Sequence, residues 1–254
     1  MLRHFLRRAL GRLRWQACAR LWLPAWIAAC FGAWPGVSHS LPPPSAPERV
    51  AWLWDGPGVP DWSRAHAAVV VQHVLLRGSE VLVRPRPQAP ALGPQARVTP
   101  VVHVELSLAQ PPQLGERQHR VIVEAVRRAA ERSSSGWVQL DLEARPSQRA
   151  FYLAVLRQLR AVLPPEVRLS ITALAWWCRS PDWLDDLPAD EVVPMFFRMG
   201  ADSAEMRRLL VEAPHRLHRQ CRQGAAGFSM QEPVDVTTVS RYARTYWFDD
   251  RRWR

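Results

Sequence analysis

The sequence predicts an α/β domain closed as a (β/α)8, TIM-barrel-like fold, irregular or incomplete in its first third. Three observations lead there. Eight short apolar runs read as strands. The stretch 114–174 runs helix, strand, helix, strand with tight connections, the signature of βαβ units and parallel pairing. One of those strands carries polar residues on a single face, which a barrel would turn inward. An open doubly wound sheet is the alternative, but no GxGxxG or P-loop favours it.

In chain order, strands are expected at 50–54, 67–75, 98–106, 137–144, 167–174, 191–198, 226–230 and 245–248. Helical spacing of Ile122, Ala125, Val126 and Ala129 predicts a helix over 114–132, stopped by Ser133-Ser134-Ser135-Gly136. Pro146-Ser147 opens a second helix, with Tyr152, Val155, Leu156, Leu159 and Leu163 on one face, and Pro164-Pro165 ends it. A third helix is capped near Asp202 or Ser203. Two places depart from barrel order. Only 61–65 is free for a helix between the first two strands, and 77–100 is a Gly/Pro-rich segment with an extra strand candidate at 81–83.

Residues 1–40 read as a signal peptide or N-terminal anchor. They hold six Arg and no acid, then the fourteen apolar residues 21–34, too short for an ordinary membrane span. Ser38-His39-Ser40 suits cleavage after Ser40, and Ile27-Ala28-Ala29-Cys30 is a lipobox-like alternative in which Cys30 is lipidated. A Pro-rich linker, 41–49, follows, and 50–254 is read as a single barrel domain. The expected location is therefore the periplasm or the exterior, with membrane contact only through an uncleaved or lipidated N-terminus. Of the net charge of +11, six units belong to 1–40, leaving +5 over the rest. So thin a charge argues against a nucleic-acid partner. Cys178 and Cys221 either form a disulfide, as an oxidising compartment permits, or stand as two buried thiols.

The chemistry concentrates on two strands. In WVQLDLEA, Gln139, Asp141 and Glu143 share the face opposite Val138, Leu140 and Leu142. Two carboxylates one residue apart lie roughly 7 Å from each other along a strand. Each raises the other's pKa, which lets one stay protonated as a general acid. In PVVHVEL, His103 and Glu105 alternate with Val102 and Val104 and share that inner face. One His and three carboxylates could also hold a metal, but the spacing matches no metal motif, and no cofactor motif is present. Asp55 either caps a loop or joins the acidic cluster, and Arg198 pairs with a carboxylate or with substrate. Trp54, Trp177 and Trp247 near strand ends suit stacking on sugar rings.

The runs VQLDLEARPSQRAFY, LPPEVRLSITALAWWC and DEVVPMFFRMG, with the opening AWLWDGP, resemble a bacterial family catalogued as domain of unknown function 3142. The acidic strand is more distantly similar to the DxxDxDxE that ends the fourth strand of family 18, chitinase-like glycoside hydrolases. That resemblance implies Glu143 as general acid and Asp141 as its partner, with Gln139 and Gly136 where the family has further acids. It also sets Met195, Phe197 and Arg198 against the family's Met-x-Tyr-Asp, and Trp247 against its sugar-floor Trp. The expected function is an exported barrel that acts on a polysaccharide or oligosaccharide, as a glycoside hydrolase with a carboxylate general acid. The alternative is a catalytically inactive glycan-binding or envelope-assembly barrel.

Overall fold

The computed structural model describes residues 46–249 except 57, 64 and 181; the segment 1–40 lies outside the described residues. The strands are β1 (Glu48–Leu53), β2 (His66–Arg77), β3 (Glu80–Pro85), β4 (Arg97–Leu106), β5 (Trp137–Leu142), β6 (Arg168–Leu174), β7 (Glu191–Met195), β8 (Ala225–Ser229) and β9 (Arg244–Phe248). All but β3 run parallel around a closed eight-stranded barrel, which shuts where β1 pairs with both β2 and β9. The helices are α1 (Glu116–Ala130), α2 (Arg149–Val162), α3 (Ser203–Glu212) and the single turn α4 (Val236–Val239).

Each departure anticipated in the first third is present. A turn of 3-10 helix, Asp61–Ser63, is all that fills the β1–β2 connection. After β2 the chain turns back through Gly78, at φ +52°, into the antiparallel strand β3. Gln118 of α1 holds this hairpin, donating from Nε2 to the carbonyls of Gly78 (2.9 Å) and Glu80 (3.1 Å). The hairpin takes over the edge of β2 that β1 leaves after Val69. Arg86 fills the split: its guanidinium donates to the carbonyls of Leu53 (3.3 Å), Val70 (3.2 Å) and Gly56 (2.6 Å). Backbone acceptors exposed by the parting strands are thereby satisfied.

Strand alternation divides the core in two. Val102, Val104, Val138, Leu140, Leu142 and Ile171 face outward, onto Ile122 and Val126 of α1 and Tyr152, Leu156 and Leu159 of α2. Val50, Trp52, Val70, Val101, Val193, Tyr246 and Phe248 fill the barrel interior. Inside, Phe248 stacks on Trp52 and lies against Phe197, each at 4.7 Å between centroids. Gly227 of β8 is required there, because a Cβ at this position would lie 2.8 Å from Cε2 of Phe248. With both faces of that ring occupied, Gly227→Ala is expected to destabilise the barrel by about 1–3 kcal/mol, read from the denaturant midpoint.

The N-terminal end of the barrel is ionic. Arg244 donates to Glu48 (2.8 Å) and Glu191 (2.9 Å), and Glu191 also accepts from Tyr246 (2.7 Å) and Ser170 (2.8 Å). Glu48 further contacts Arg97 (2.5 Å) and His66 (2.8 Å). At the periphery, Cys178 and Cys221 form a disulfide, with Cα atoms 5.8 Å apart, that closes a loop 43 residues long in sequence. Replacing both by serine is expected to lower stability by about 2–4 kcal/mol, because the unfolded chain regains the freedom of that loop. Thermal melting with and without reductant checks it. Among the described residues, no helix is long and apolar enough to cross a membrane.

Candidate active site

The C-terminal ends of β1, β2, β4 and β5 meet over a cleft of about 880 Å³ lined by Trp54, Asp55, His73, His103, Glu105, Glu143 and Arg145. A smaller cavity of about 310 Å³ adjoins it, lined by Trp176, Met195, Phe197, Arg198 and Asp202. Glu143 and Leu174 line both, so Glu143 stands at the junction.

The two carboxylates of β5 have opposite surroundings. Asp141 is buried, and both of its oxygens are engaged: Oδ2 lies 2.6 Å from Nδ1 of His103, and Oδ1 accepts from Thr172 Oγ1 at 2.5 Å. Glu143, one pleat further on, is exposed to the cleft and has no hydrogen bond or ion pair among the described residues. The cleft walls still withdraw enough water that desolvation raises its pKa, and the charge of Asp141 adds to the rise. Burial works against an imidazolium at His103, but the combined charge of Asp141, Glu143 and Glu105 outweighs it and raises its pKa. The strand thus presents one carboxylate locked by hydrogen bonds and one carboxyl disposed to keep its proton. That asymmetry divides acid from charge stabiliser in a catalytic pair.

Trp54 extends the inward set of β1. It meets His103 edge-on at 4.8 Å and stacks on His73 at 6.2 Å. Asp55 lies between His73 (3.1 Å) and Arg84 of β3 (2.9 Å). Glu105 is exposed on the cleft wall. Arg198 sits on the rim of the smaller cavity in the left-handed region, at φ +49°, its backbone N–H donating to Glu232 at 2.9 Å. Met195, which is buried, lines the same cavity.

Three expected ligand residues stand elsewhere. Gln139 is fully buried below the cleft, accepting from Trp52 Nε1 (2.7 Å) and donating to Ser170 (3.0 Å), so it braces the interior. Trp177 has no exposed surface; it packs against Tyr152 and Trp183 in the outer core, and its neighbour Trp176 is the residue that reaches the smaller cavity. Trp247 is turned away from the cleft toward Phe228 and Arg49 by the alternation that sends Tyr246 and Phe248 inward, and it lines a separate cavity of about 290 Å³ that Trp54 and Asp55 also border. Among the described residues, no group of three or more His, Cys, Asp or Glu could hold a metal ion.

His73 is the cleft residue that strand parity hides. Ala68 and Val70 of β2 point inward, so simple alternation sends residue 73 outward. Val70 pairs with Val101 but Gln72 with Val102, leaving Val71 as an extra residue in a β-bulge. The bulge reverses the parity and brings His73 level with His103, inside.

No family model matches the sequence, and neither does any curated protein. The resemblance to the family of unknown function 3142 therefore rests on its motifs alone. Solved structures do match. One is a protein described as a candidate chitinase A from Streptomyces coelicolor: 10% identity, 80% of this chain and 92% of that one, TM-score 0.50. Others are a GH18 chitinase from Pseudoalteromonas aurantia (11% identity, 80% and 93%, TM-score 0.48) and the spore cortex-lytic enzyme SleL from Bacillus cereus (14%, 73% and 51%, TM-score 0.44). The first of these likenesses shows a shared barrel fold. β5, which carries Asp141 and Glu143, is the fourth strand of the barrel here, β3 lying outside it.

Proposed function

We propose that this protein hydrolyses a glycan in the cleft at the C-terminal face, with Glu143 as general acid. The observation that carries the reading is Glu143 itself: a carboxyl without a hydrogen-bond partner among the described residues, raised in pKa, at the junction of two cavities on the face where barrel enzymes work. Glu143 gives its proton to the glycosidic oxygen as the bond to the anomeric carbon breaks, and water supplies the hydroxyl. Asp141, held in place by hydrogen bonds to His103 and Thr172, stabilises the positive charge that develops on the sugar. Trp54 offers a ring against which a sugar can stack, and Arg198 contacts its substituents from the second cavity. The chitinase description of the Streptomyces coelicolor neighbour supports a polysaccharide substrate.

The N-terminal 1–40 segment would export the chain to the periplasm or beyond, in keeping with the Cys178–Cys221 disulfide. The test of function is reducing-end release by residues 41–254 from chitin, chitosan, cellulose, alginate and peptidoglycan. Release from one of these supports hydrolysis. No release, with saturable binding to one, supports instead a silent glycan-binding barrel. Gln139 favours that second reading, since it puts a neutral brace where the resembling family has an acid. Because Glu143 acts protonated, kcat is expected to fall as pH rises through its raised pKa, with the descending limb of the pH profile above the usual carboxylate range.

A further inference from the structure

The β2–β3 hairpin ends the sheet. Among the described residues β3 pairs with β2 alone, so its other side is a sheet edge without a partner strand. Edges of this kind are ordinarily covered, very short or guarded by charge, because their free N–H and C=O groups recruit another strand. At the centre of this one, Leu82 and Val83 are 47% and 44% exposed.

The turn at Gly78-Ser79 fixes which backbone groups face out. Arg77 and Glu80 flank it, and a two-residue turn begins the ladder with a hydrogen-bonded pair. Alternation then points the backbone groups of Glu80, Leu82 and Arg84 toward β2, and those of Val81 and Val83 outward. Side chains divide in the same way. Glu80, Leu82 and Arg84 lie on the face of His73, where Arg84 reaches Asp55 at 2.9 Å, and Val81 packs on the outer core. The edge therefore reads Glu-Val-Leu-Val-Arg from 80 to 84: apolar on either side of Leu82, with opposite charges at its two ends.

We infer that the protein pairs with a second copy of itself, β3 against β3, antiparallel about a two-fold axis through Leu82. Such a pairing is isologous, each copy offering the same surface. Val81 of one copy stands opposite Val83 of the other, and these pairs exchange the outward N–H and C=O groups. Leu82 meets Leu82 on the axis. At both ends Glu80 stands opposite Arg84, in non-hydrogen-bonded positions where Cα atoms come within roughly 4.5 Å and side chains are closest. Both residues are more than half exposed, and each already holds a partner in its own chain: Arg77 at 2.6 Å from Glu80, and Asp55 at 2.9 Å from Arg84. The pairing joins these into a row, Asp55 and Arg84 of one copy, then Glu80 and Arg77 of the other, in which every neighbour is of opposite charge. The adjacent two-fold registers lack this match. Centred on Val81 or Val83, they set Glu80 or Arg84 against Leu82, and the second also sets Val81 against Pro85, which has no N–H. This charge pattern is what selects a second copy as the occupant. The inference does not depend on the chemistry of the cleft.

The experiment is sedimentation equilibrium over a concentration series on residues 41–254, which hold every strand of the closed barrel. The wild type is expected to dimerise reversibly. Glu80→Arg and Arg84→Glu, each alone, place like charges opposite one another at both ends of the interface and are expected to weaken the dimer at least about tenfold. An equimolar mixture of the two variants matches the charges again and is expected to recover the wild-type dimer. Val83→Pro removes an outward N–H that the ladder with β2 does not use, and is expected to leave a monomer. Circular dichroism and melting confirm that each variant is folded; should Val83→Pro fail to fold, the mixture decides by itself. A wild type that stays monomeric at every concentration overturns the inference. So does a dimer that every folded variant preserves, or a mixture that stays monomeric when both of its components do.

Discussion

Glu143→Gln is expected to reduce turnover by about 10²–10⁴-fold while leaving the melting temperature within a degree or two of wild type. The amide preserves size and shape, so the cleft keeps its form. It has no proton acidic enough to pass to a departing sugar oxygen. Stability should hold because Glu143 makes no hydrogen bond or ion pair among the described residues and opens to the cleft, so nothing is orphaned by the change. Substrate affinity should survive for the same reason, and calorimetric titration of the inactive variant should show it bind the oligosaccharide that the wild type cleaves. Asp141→Asn differs in kind. His103 and Thr172 both direct hydrogens at that carboxylate, and an amide presents its NH2 to one of them. Loss of activity there should come with loss of stability, and the pair of variants separates the chemical acid from the built-in charge.

Arg244→Met is expected to destabilise the fold by about 3–5 kcal/mol. Arg244 lies between Glu48 and Glu191, with its guanidinium over the Trp137 ring at 4.6 Å. Methionine fills much of the volume but leaves Glu191, with a side chain only 10% exposed, without its counter-charge. The acid behaviour gives a second readout. Burial raises the Glu48 pKa, but bonds to His66 and Arg244 and the charge of Arg244 overcome that and lower it to about 2 from 4.5. A carboxylate lowered on folding contributes stability that is complete above its unfolded pKa and is lost as pH falls through the folded one. In the wild type that loss is confined to the range from about 4.5 down to about 2. Without Arg244 the folded pKa moves back toward the unfolded value, so less of this contribution exists at neutral pH and what remains goes at a higher pH. Urea denaturation at a series of acidic pH values measures both.

Much of this architecture was legible in the sequence because it rests on periodicity. Period-2 runs such as VQLDLEA and period-3.6 runs such as 122–129 answer to strand and helix geometry directly. The polar face of β5 pointed to a candidate site because a parallel strand buried on both faces is otherwise almost wholly apolar. The differences in placement have equally physical causes. Trp177 and Trp247 were read by residue type, whereas their roles depend on which way the chain turns them. Gln139 sits on the correct face but one layer too deep, a depth that no local pattern encodes. His73 was hidden because a bulge is a property of two paired strands, and its partner, β4, begins twenty-four residues later. The Arg84–Asp55 contact spans twenty-nine residues and depends on a hairpin that barrel order does not call for.

The barrel is closed by its own two ends, and this sets when it can exist. β1 pairs with β9 along its length but with β2 over only three residues, and Arg244 of β9 carries the charge that balances Glu48 of β1. These contacts span nearly two hundred residues, so they come late in folding, after the locally paired middle strands have formed. A chain growing from its N-terminus holds seven of the eight barrel strands, with two raw edges, until the final segment arrives. Removing the residues from Arg244 onward would therefore cost more than one strand: it would leave β1 without its main partner, Trp52 without Phe248, and a cylinder reduced to a curled sheet whose open margins invite pairing between molecules.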